Sequence, residues 1–165
     1  MANKIIIGID PDVEKSGCCI IYPNKEMFLF TLPFPELIEK IVNINTFNEV
    51  HVVVEAGWLN SKSDFSLYAG GRKMIPISEA LIATKKAKNT GSNHAVGKLL
   101  IEMLKHHAID VSEMKPLSKS RWHGDKCSRE ELNGVLERNG YATFKQNNQE
   151  QRDATLIALT YKGTV

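Results

Sequence analysis

The stretch "IIIGIDPDVEKSGCCIIY", from Ile5 to Tyr22, decides the fold. Two apolar runs, at 4–10 and 17–22, flank a polar segment that contains a proline and borders a glycine. This pattern is typical of two β-strands joined by a short turn. The first run ends in a carboxylate, Asp10, where another apolar residue would continue the strand. We therefore predict an antiparallel strand pair with an acidic side chain at the tip of its first strand.

The rest of the chain continues the sheet and surrounds it with helices. "MFLFTL" predicts a third strand, and "VHVVVEA" predicts a fourth strand that is buried on both faces. A helix predicted at 35–44 separates them, and such a connection makes the later strands parallel to the first. Further helices are predicted at 93–108, 128–140 and 149–162, and a strand within 109–116. We expect one α/β domain spanning 1–165, with a mixed five-stranded sheet of three antiparallel and then two parallel strands.

Positive charge is concentrated in two segments, although the net charge of the 165-residue chain is only +2. Residues 56–92 contain six basic and two acidic residues (net +4), and residues 112–129 contain five and two (net +3). The first segment lacks helical periodicity except around 78–86, so we interpret it as a long excursion that is mobile or partly helical. Charge alone favours a nucleic-acid partner only slightly, because solvated lysine-rich loops are common.

The sequence shows no sign of a membrane span or of a secretory segment. No run of about eighteen apolar residues is present, so no membrane partner is expected. The first ten residues predict a strand, since a glycine and an aspartate interrupt their apolar run. Cys18, Cys19 and Cys127 form no CxxC pair, and we interpret them as buried thiols of a cytoplasmic protein.

Four carboxylates are predicted to converge at one edge of the sheet. Asp10 ends the first strand and Glu55 ends the fourth, and the ends of neighbouring parallel strands lie side by side. Glu150 and Asp153 are three residues apart at the start of the last helix, on the face that would pack on the sheet. Each acid alone has a simpler explanation: a turn before Pro11, an exposed strand end, or a favourable position at a helix start. Their joint placement favours a shared site.

Four anions in a small space repel one another and lose hydration, so they need a balancing charge. The sequence contains no cluster of inward-facing arginines, whereas Mg²⁺, with Mn²⁺ as a substitute, prefers oxygen ligands. Two such ions about 4 Å apart can activate a water and stabilise the leaving oxygen in phosphodiester hydrolysis. We therefore predict a two-metal site whose ligands and catalytic residues are Asp10, Glu55, Glu150 and Asp153.

The sequence resembles the RuvC-type Holliday junction resolvases of the RNase H-like superfamily. The resemblance rests on "GIDPDVEKSG", "VVVEAGW", "NHAVGKLLIEML" before "VSEMKP", and "EQRDATLIAL", in this order over nearly the whole chain. It implies an RNase H-like fold and a homodimer that cuts two strands of a four-way DNA junction symmetrically with Mg²⁺. It also implies that the four acids hold the metal and that Trp58 contacts bases at the junction.

Two positions depart from the family pattern, and a third bears on the dimer. Asp12 stands where the family has glycine, and aspartate tolerates a left-handed backbone better than most residues. Glu150 stands where aspartate is commoner. Gly97 costs about 1 kcal/mol relative to alanine in its strongly apolar helix, so a close helix contact is expected there. This contact lies either inside the fold or across a dimer, and we favour the dimer because the family has its dimer contact on this helix.

Candidate nucleic-acid contacts lie within the two basic segments. The aromatic residues can stack on unpaired bases, each worth about 1–3 kcal/mol, or can instead anchor loops on the core. The basic residues can contact phosphates or simply cover a solvated helix end. The resemblance adds Lys119 and Lys126, which fall where the family carries lysines near the scissile phosphate. The complete set is Trp58, Phe65, Arg72, Lys73, Lys85, Lys86, Lys88, Lys119 and Lys126.

The leading hypothesis for the function is a metal-dependent endonuclease that resolves branched DNA. One alternative is a nuclease of the same fold that acts on a flap or an RNA–DNA hybrid, and another is a protein that binds junctions without cutting them. An actin-like ATPase or sugar kinase is disfavoured, because 165 residues cannot supply its two lobes and no second glycine-rich phosphate turn is present. No nucleotide cofactor is therefore expected.

Overall fold

The computed structural model describes residues 4–60, 77–118, 122 and 126–165, without the side chains of 77–83 and 86. A short 3₁₀ helix, Gly57–Leu59, follows the fourth strand. The strands are β1 Ile5–Asp10, β2 Ser16–Ile21, β3 Met27–Leu32, β4 Val50–Glu55 and β5 Asp110–Met114. The α-helices are α1 Phe34–Asn45, α2 Ile77–His106, α3 Arg129–Arg138 and α4 Gln149–Tyr161.

The sheet has the predicted topology. Its strand order is β3-β2-β1-β4-β5. β1 pairs with β2 and β2 with β3 in antiparallel fashion, whereas β4 lies parallel to both β1 and β5. The parallel pairs follow from the helical connections, since α1 lies between β3 and β4 in the chain and α2 lies between β4 and β5. The prediction of three antiparallel strands followed by two parallel strands is confirmed.

Helices cover both faces of the sheet, so the three central strands β2, β1 and β4 bury residues on both sides. In β4, Val52 and Val54 belong to the core under α1 and α2, whereas Val53 belongs to the core under α4. Because side chains alternate along a strand, Glu55 falls on the Val53 face. The same alternation in β1 puts Asp10 on the face of Ile6, which also lies under α4. Both strand-end acids therefore face α4.

Helix α2 begins earlier than the sequence pattern indicated. The apolar periodicity predicted a full helix only from Asn93 and a partly helical excursion around 78–86, whereas the helix runs without interruption from Ile77 to His106. Thr84, Lys85 and residues 88–91 are exposed. Residues 84–91 contain no large apolar side chain, so no apolar stripe reveals this part of the helix in the sequence.

Capping interactions fix the starts of α3 and α4. The backbone N–H of Glu131 donates to Ser128 Oγ at 3.2 Å, and the backbone N–H of Ser128 donates to Glu131 Oε2 at 2.8 Å. This is the reciprocal arrangement that the sequence predicted for α3. Asn148 and Gln151 form a second pair of this kind at the start of α4. The helix that carries Glu150 and Asp153 therefore has a well-defined first turn.

Two further expectations concern membrane-spanning helices and the three cysteines. Among the helices in the described ranges, none is both long enough and apolar enough to cross a bilayer. The three cysteines are free and buried, as predicted. Burial raises the pKa of the Cys19 thiol to about 12, so this group stays protonated at neutral pH.

Candidate active site

The carboxyl ends of β1 and β4 bring Asp10 and Glu55 together. The parallel register pairs Ile9 with Val54, so the two acids are the next residues along neighbouring strands. Both side chains are partly buried on the sheet face that α4 covers. This is the position that the sequence predicted for the first two members of the acidic cluster.

The start of α4 lies directly against this end of the sheet, because two strand glycines leave room for its backbone. A β-carbon on Gly17 would collide with the carbonyl group of Glu150, and one on Gly8 would collide with the carbonyl oxygen of Ala154. Gly17 is also the cross-strand partner of Asp10. The close approach at Gly17 therefore sets the first turn of α4, with its two acids, beside the tip of β1.

Asp10 is the electrostatic centre of the cluster. Burial, followed by repulsion from Glu55, Asp153 and Glu150 in that order, raises the pKa of Asp10 from 3.8 to about 8. Asp12 adds a smaller repulsion. Because each of these carboxylates acts on Asp10, the four acids that the sequence analysis grouped occupy one neighbourhood.

The cluster has the donor chemistry of a hard-cation site without a ready-made coordination shell. Within the described ranges, no three His, Cys, Asp or Glu side chains are arranged to hold a common metal ion. Asp153 Oδ1 instead accepts a 2.8 Å hydrogen bond from Gln149 Nε2. The four acids offer only oxygen donors, which suit Mg²⁺ and Mn²⁺, and a cation would relieve the repulsion on Asp10. The donors fit such ions chemically.

Asp12 has a structural role in the turn after β1. Its Oδ1 accepts a hydrogen bond from the backbone N–H of Glu14 at 2.9 Å, and its Oδ2 accepts one from Asn93 Nδ2 at 3.1 Å. Asn93 Oδ1 in turn accepts from the backbone N–H of Val13 at 3.2 Å. The Asp12–Asn93 pair thus ties this turn to α2.

The backbone of Asp12 corrects one expectation about the turn. The non-glycine residues with positive φ in the described ranges are Lys25 and Ala108. Asp12 is therefore not in the left-handed conformation that a glycine at this position would suggest. Its side chain is instead used for the two hydrogen bonds that shape and dock the turn.

Trp58 is held in place by contacts within the chain. Its indole Nε1 donates to Glu113 Oε2 at 2.9 Å, and its partly buried ring packs against the core under α1 and α2. A β-carbon on Gly97 would come within 2.7 Å of this ring. Of the two places expected for the close contact at Gly97, the structure therefore shows the one inside the chain, whereas the sequence favoured the dimer.

The other candidate nucleic-acid contacts fall into two groups. Lys85, Lys88 and Lys126 are exposed, and the first two are close on one side of α2. Phe65, Arg72, Lys73 and Lys119 lie outside the described residues, as does the side chain of Lys86. Their roles as nucleic-acid contacts stay predictions.

Three groups near the site were missed by the sequence analysis. The Lys98 ammonium lies 5.7 Å from the centre of the Trp58 ring, close enough for a cation–π contact. Asn93 lies 81 positions from Asp12, so no local pattern could reveal their contact. The Gln149–Asp153 hydrogen bond spans four residues of one helix, and this spacing could have indicated it.

Comparisons with known proteins support the fold. No family model matches the sequence, and no curated protein matches it significantly. The chain is similar to Thermus thermophilus RuvC in complex with a Holliday junction substrate, at 15% identity and a TM-score of 0.50, over 97% of this chain and 93% of that chain. Another Thermus thermophilus RuvC structure matches over 97% of both chains, at 15% identity and a TM-score of 0.43. The first of these matches shows that the chain has the RNase H-like fold of RuvC.

Proposed function

We propose that the protein is a metal-dependent endonuclease that hydrolyses phosphodiesters in branched DNA by symmetric cleavage of four-way junctions. The observation that carries the proposal is the convergence of Glu55, Glu150 and Asp153 on Asp10 at the carboxyl end of the sheet. Such a cluster opposes folding through repulsion and desolvation, which favours a functional reason for it. The similar RuvC structure is bound to a Holliday junction substrate, and this supports branched DNA as the substrate class.

The acidic cluster would be the catalytic centre. Asp10, Glu55, Glu150 and Asp153 would hold Mg²⁺, two ions per site, with Mn²⁺ as a substitute. These ions would supply an activated water and stabilise the charge of the leaving oxygen. The chain contributes the positions of the ligands, because two strand ends and a capped helix start hold their backbones rigidly. The partly buried setting of Asp10 strengthens its attraction for a cation.

The basic and aromatic candidates would bind the DNA around this centre. Lys85 and Lys88 lie on the exposed part of α2, and Lys126 lies just before α3, where they can reach phosphates. Trp58 would contact unpaired bases as a preorganised platform. Because Glu113 and the core already fix its ring, little conformational entropy would be lost on stacking. Phe65, Arg72, Lys73, Lys86 and Lys119 complete the proposed surface.

Paired cuts in a symmetric junction need two active sites, so we propose a homodimer of single-domain chains. Leu99 on α2 is 48% exposed and offers apolar surface for such a contact. The buried free thiols are compatible with a reducing cytoplasm, where we place the protein.

The direct test is to incubate the purified protein and Mg²⁺ with a four-way junction that is labelled on each strand in turn. Linear duplex, single strand, a flap and an RNA–DNA hybrid serve as comparison substrates. We expect paired nicks at symmetric positions in the junction, no nicks in linear duplex, and loss of cleavage with a chelator. Preferential cleavage of the flap or the hybrid would instead favour the alternative nuclease function.

Substitution separates cutting from binding. Asp10→Asn should abolish cleavage while junction affinity stays intact, whereas Glu39→Gln, on the exposed side of α1, should behave as the wild type in both assays. A wild-type protein that binds the junction but cuts no substrate with either Mg²⁺ or Mn²⁺ would contradict the proposal. That result would identify the chain as a binding protein.

A further inference from the structure

Arg152 and Gln149 form a hydrogen-bonded relay that ends on Asp153. Arg152 Nη2 donates to Gln149 Oε1 at 2.9 Å, and Gln149 Nε2 donates to Asp153 Oδ1 at 2.8 Å. Gln149 lies three residues before Arg152 and four before Asp153, so all three side chains are neighbours on one side of α4. The relay connects a guanidinium group to one member of the acidic cluster without placing the positive charge on that carboxylate.

The polarity of this relay is fixed by the chemistry of its ends. A guanidinium group can only donate hydrogen bonds, so the Gln149 amide must turn its oxygen toward Arg152. The amide nitrogen then faces Asp153, where it can donate to an ionised carboxylate. Arg152 thus determines which end of the Gln149 side chain reaches the acidic cluster.

Arg152 also fastens α4 to the segments on either side of α3. Its Nε donates to the backbone carbonyl of Cys127 at 2.9 Å, one residue after Lys126. Its Nη1 donates to the backbone carbonyl and to Oδ1 of Asn147, at 3.0 and 2.9 Å. Within the described residues, Asn147 Nδ2 is buried without a hydrogen-bond partner. An unpaired buried donor is unfavourable, so the orientation of the Asn147 amide is explained by the hydrogen bond that its oxygen accepts from Arg152.

We propose that Arg152 and Gln149 are positioning residues that hold one oxygen of Asp153 in place and keep the Lys126 segment docked beside α4. This inference rests on the proposed function, in which Asp153 is a metal ligand and Lys126 contacts a phosphate. Groups that orient a ligating carboxylate in this way contribute about 10–100-fold to metal affinity in known sites. Neither residue needs to touch the metal or the DNA.

The first measurement tests the relay without any metal. In a ¹⁵N-labelled protein, the Gln149 side-chain amide signal is assigned by its loss in Gln149→Met. We expect this signal to shift in both Arg152→Lys and Asp153→Asn, because each change alters one end of the relay. A signal that keeps its position in both variants would overturn the relay, whatever the function of the protein.

The second measurement is the affinity of Mn²⁺ alone, by calorimetric titration of the full chain. Gln149→Met should weaken Mn²⁺ binding about tenfold, with thermal unfolding close to that of the wild type. Arg152→Lys keeps the positive charge, but a lysine cannot donate hydrogen bonds to Cys127, Asn147 and Gln149 at once as the guanidinium group does. This variant should therefore weaken Mn²⁺ binding as well. Gln146→Met is the matched control, since Gln146 is exposed and lies three residues from Gln149.

The two possible failures are distinguishable. If the wild type binds Mn²⁺ and Gln149→Met binds it equally well, the positioning role is wrong and the proposed function stands. If Gln149→Met weakens Mn²⁺ binding but Arg152→Lys binds Mn²⁺ as tightly as the wild type, only the charge of Arg152 matters and its positioning role is wrong. If the wild type binds no Mn²⁺, the metal-dependent function itself is contradicted, and the positioning of a metal ligand falls with it.

Discussion

The carbonyl group of Glu150 fills the space that a β-carbon on Gly17 would occupy. Because Gly17 is paired with Asp10 across β1 and β2, this single close approach connects the last helix to the tip of the first strand. The arrangement of the acidic cluster therefore depends on Gly17, because any larger residue there would collide with the backbone of Glu150.

Gly17→Ala should destabilise the fold and loosen the cluster. The added methyl group would push the first turn of α4 away from β2, and overpacking of this kind costs typically about 1–3 kcal/mol. The free energy of unfolding, measured with denaturant, should fall by this amount, and the affinity for Mn²⁺ should fall with it.

Gly134→Ala is the matched control for this change. A β-carbon at Gly134, inside α3, would meet only Arg138 Nη1, at an ordinary 3.6 Å. Alanine in a helix interior is about 1 kcal/mol more favourable than glycine, so this variant should be slightly more stable than the wild type. Equal losses of stability in the two variants would show that the approach of Glu150 is not what makes Gly17 necessary.

The Asp12–Asn93 contact predicts an energetic coupling between the turn after β1 and α2. Asp12→Ala and Asn93→Ala should each lower the free energy of unfolding by about 1 kcal/mol, the usual contribution of a hydrogen bond. The double variant should lose less than the sum of the two, since both single changes remove the same contact. Denaturant titrations of the four proteins measure this difference.

The affinity for Mn²⁺ distinguishes this structural role of Asp12 from a role as a metal ligand. Because both carboxylate oxygens of Asp12 accept hydrogen bonds from the protein, Asp12→Ala should change the Kd for Mn²⁺ by no more than a few-fold. Complete loss of Mn²⁺ binding in Asp12→Ala, in a protein that remains folded, would make Asp12 a fifth metal ligand.

His51 and Asp110 predict a loss of stability at low pH. His51 is 6% exposed, its Nδ1 lies 2.7 Å from Asp110 Oδ2, and its Nε2 lies 2.9 Å from Ser112 Oγ. The hydrogen bond with His51, helped by the nearby Lys4 ammonium, lowers the pKa of Asp110 below its usual value. A carboxyl with a lowered folded-state pKa stabilises the fold above its unfolded-state pKa, and this contribution disappears as the pH falls through the folded-state value.

Asp110→Asn tests this link between β4 and β5. At neutral pH the variant should unfold at a lower denaturant concentration than the wild type. The difference should begin to shrink as the pH falls below about 4, where the Asp110 carboxylate of the unfolded chain becomes protonated, and should approach zero below the lowered folded-state pKa of Asp110. A difference that does not change with pH would mean that the ionised form of Asp110 is not what stabilises the sheet edge.

The architecture was predictable because the apolar runs are long and the turns between them are well marked. The five strands and the positions of Asp10 and Glu55 at two strand ends follow from local patterns, and the change from antiparallel to parallel pairing follows from the helical connections. The continuity of α2 across 84–91 was not predictable, since this stretch, which includes Lys85 and Lys88, contains no large apolar residue. Helix propensity alone is a weak signal compared with a buried stripe.

The acidic cluster was predictable only as far as backbone topology determines it. Strand ends and helix starts indicate which carboxylates can meet, but not which side chains hold them. Asn93 reaches Asp12 from another element, and Gly97 makes room for a ring that is distant in the chain. The resemblance to a family suggested a dimer contact at Gly97, and packing inside the chain accounts for this glycine instead.

Asp10→Asn should raise the free energy of unfolding of the metal-free protein, whereas Asp110→Asn should lower it. The pKa of Asp10 is raised to about 8 by burial and by four other carboxylates, of which Asp12 acts least, so the folded state holds a proton that the unfolded state releases near the ordinary pKa of 3.8. Ionisation of Asp10 therefore opposes folding, and the wild type should lose stability as the pH rises from about 4 to about 8. Near neutral pH the variant should gain on the order of a few kcal/mol, because each unit of pKa shift corresponds to about 1.4 kcal/mol.

Denaturant titrations in a chelator, at several pH values across this window, measure the gain from Asp10→Asn. The gain should shrink toward zero near pH 4, where Asp10 is protonated in both states. Added Mn²⁺ should reverse the order at neutral pH, since a cation that binds only the folded wild type stabilises it by mass action. An Asp10→Asn variant that is less stable than the wild type in the chelator would show that the four carboxylates do not crowd one another in the folded protein.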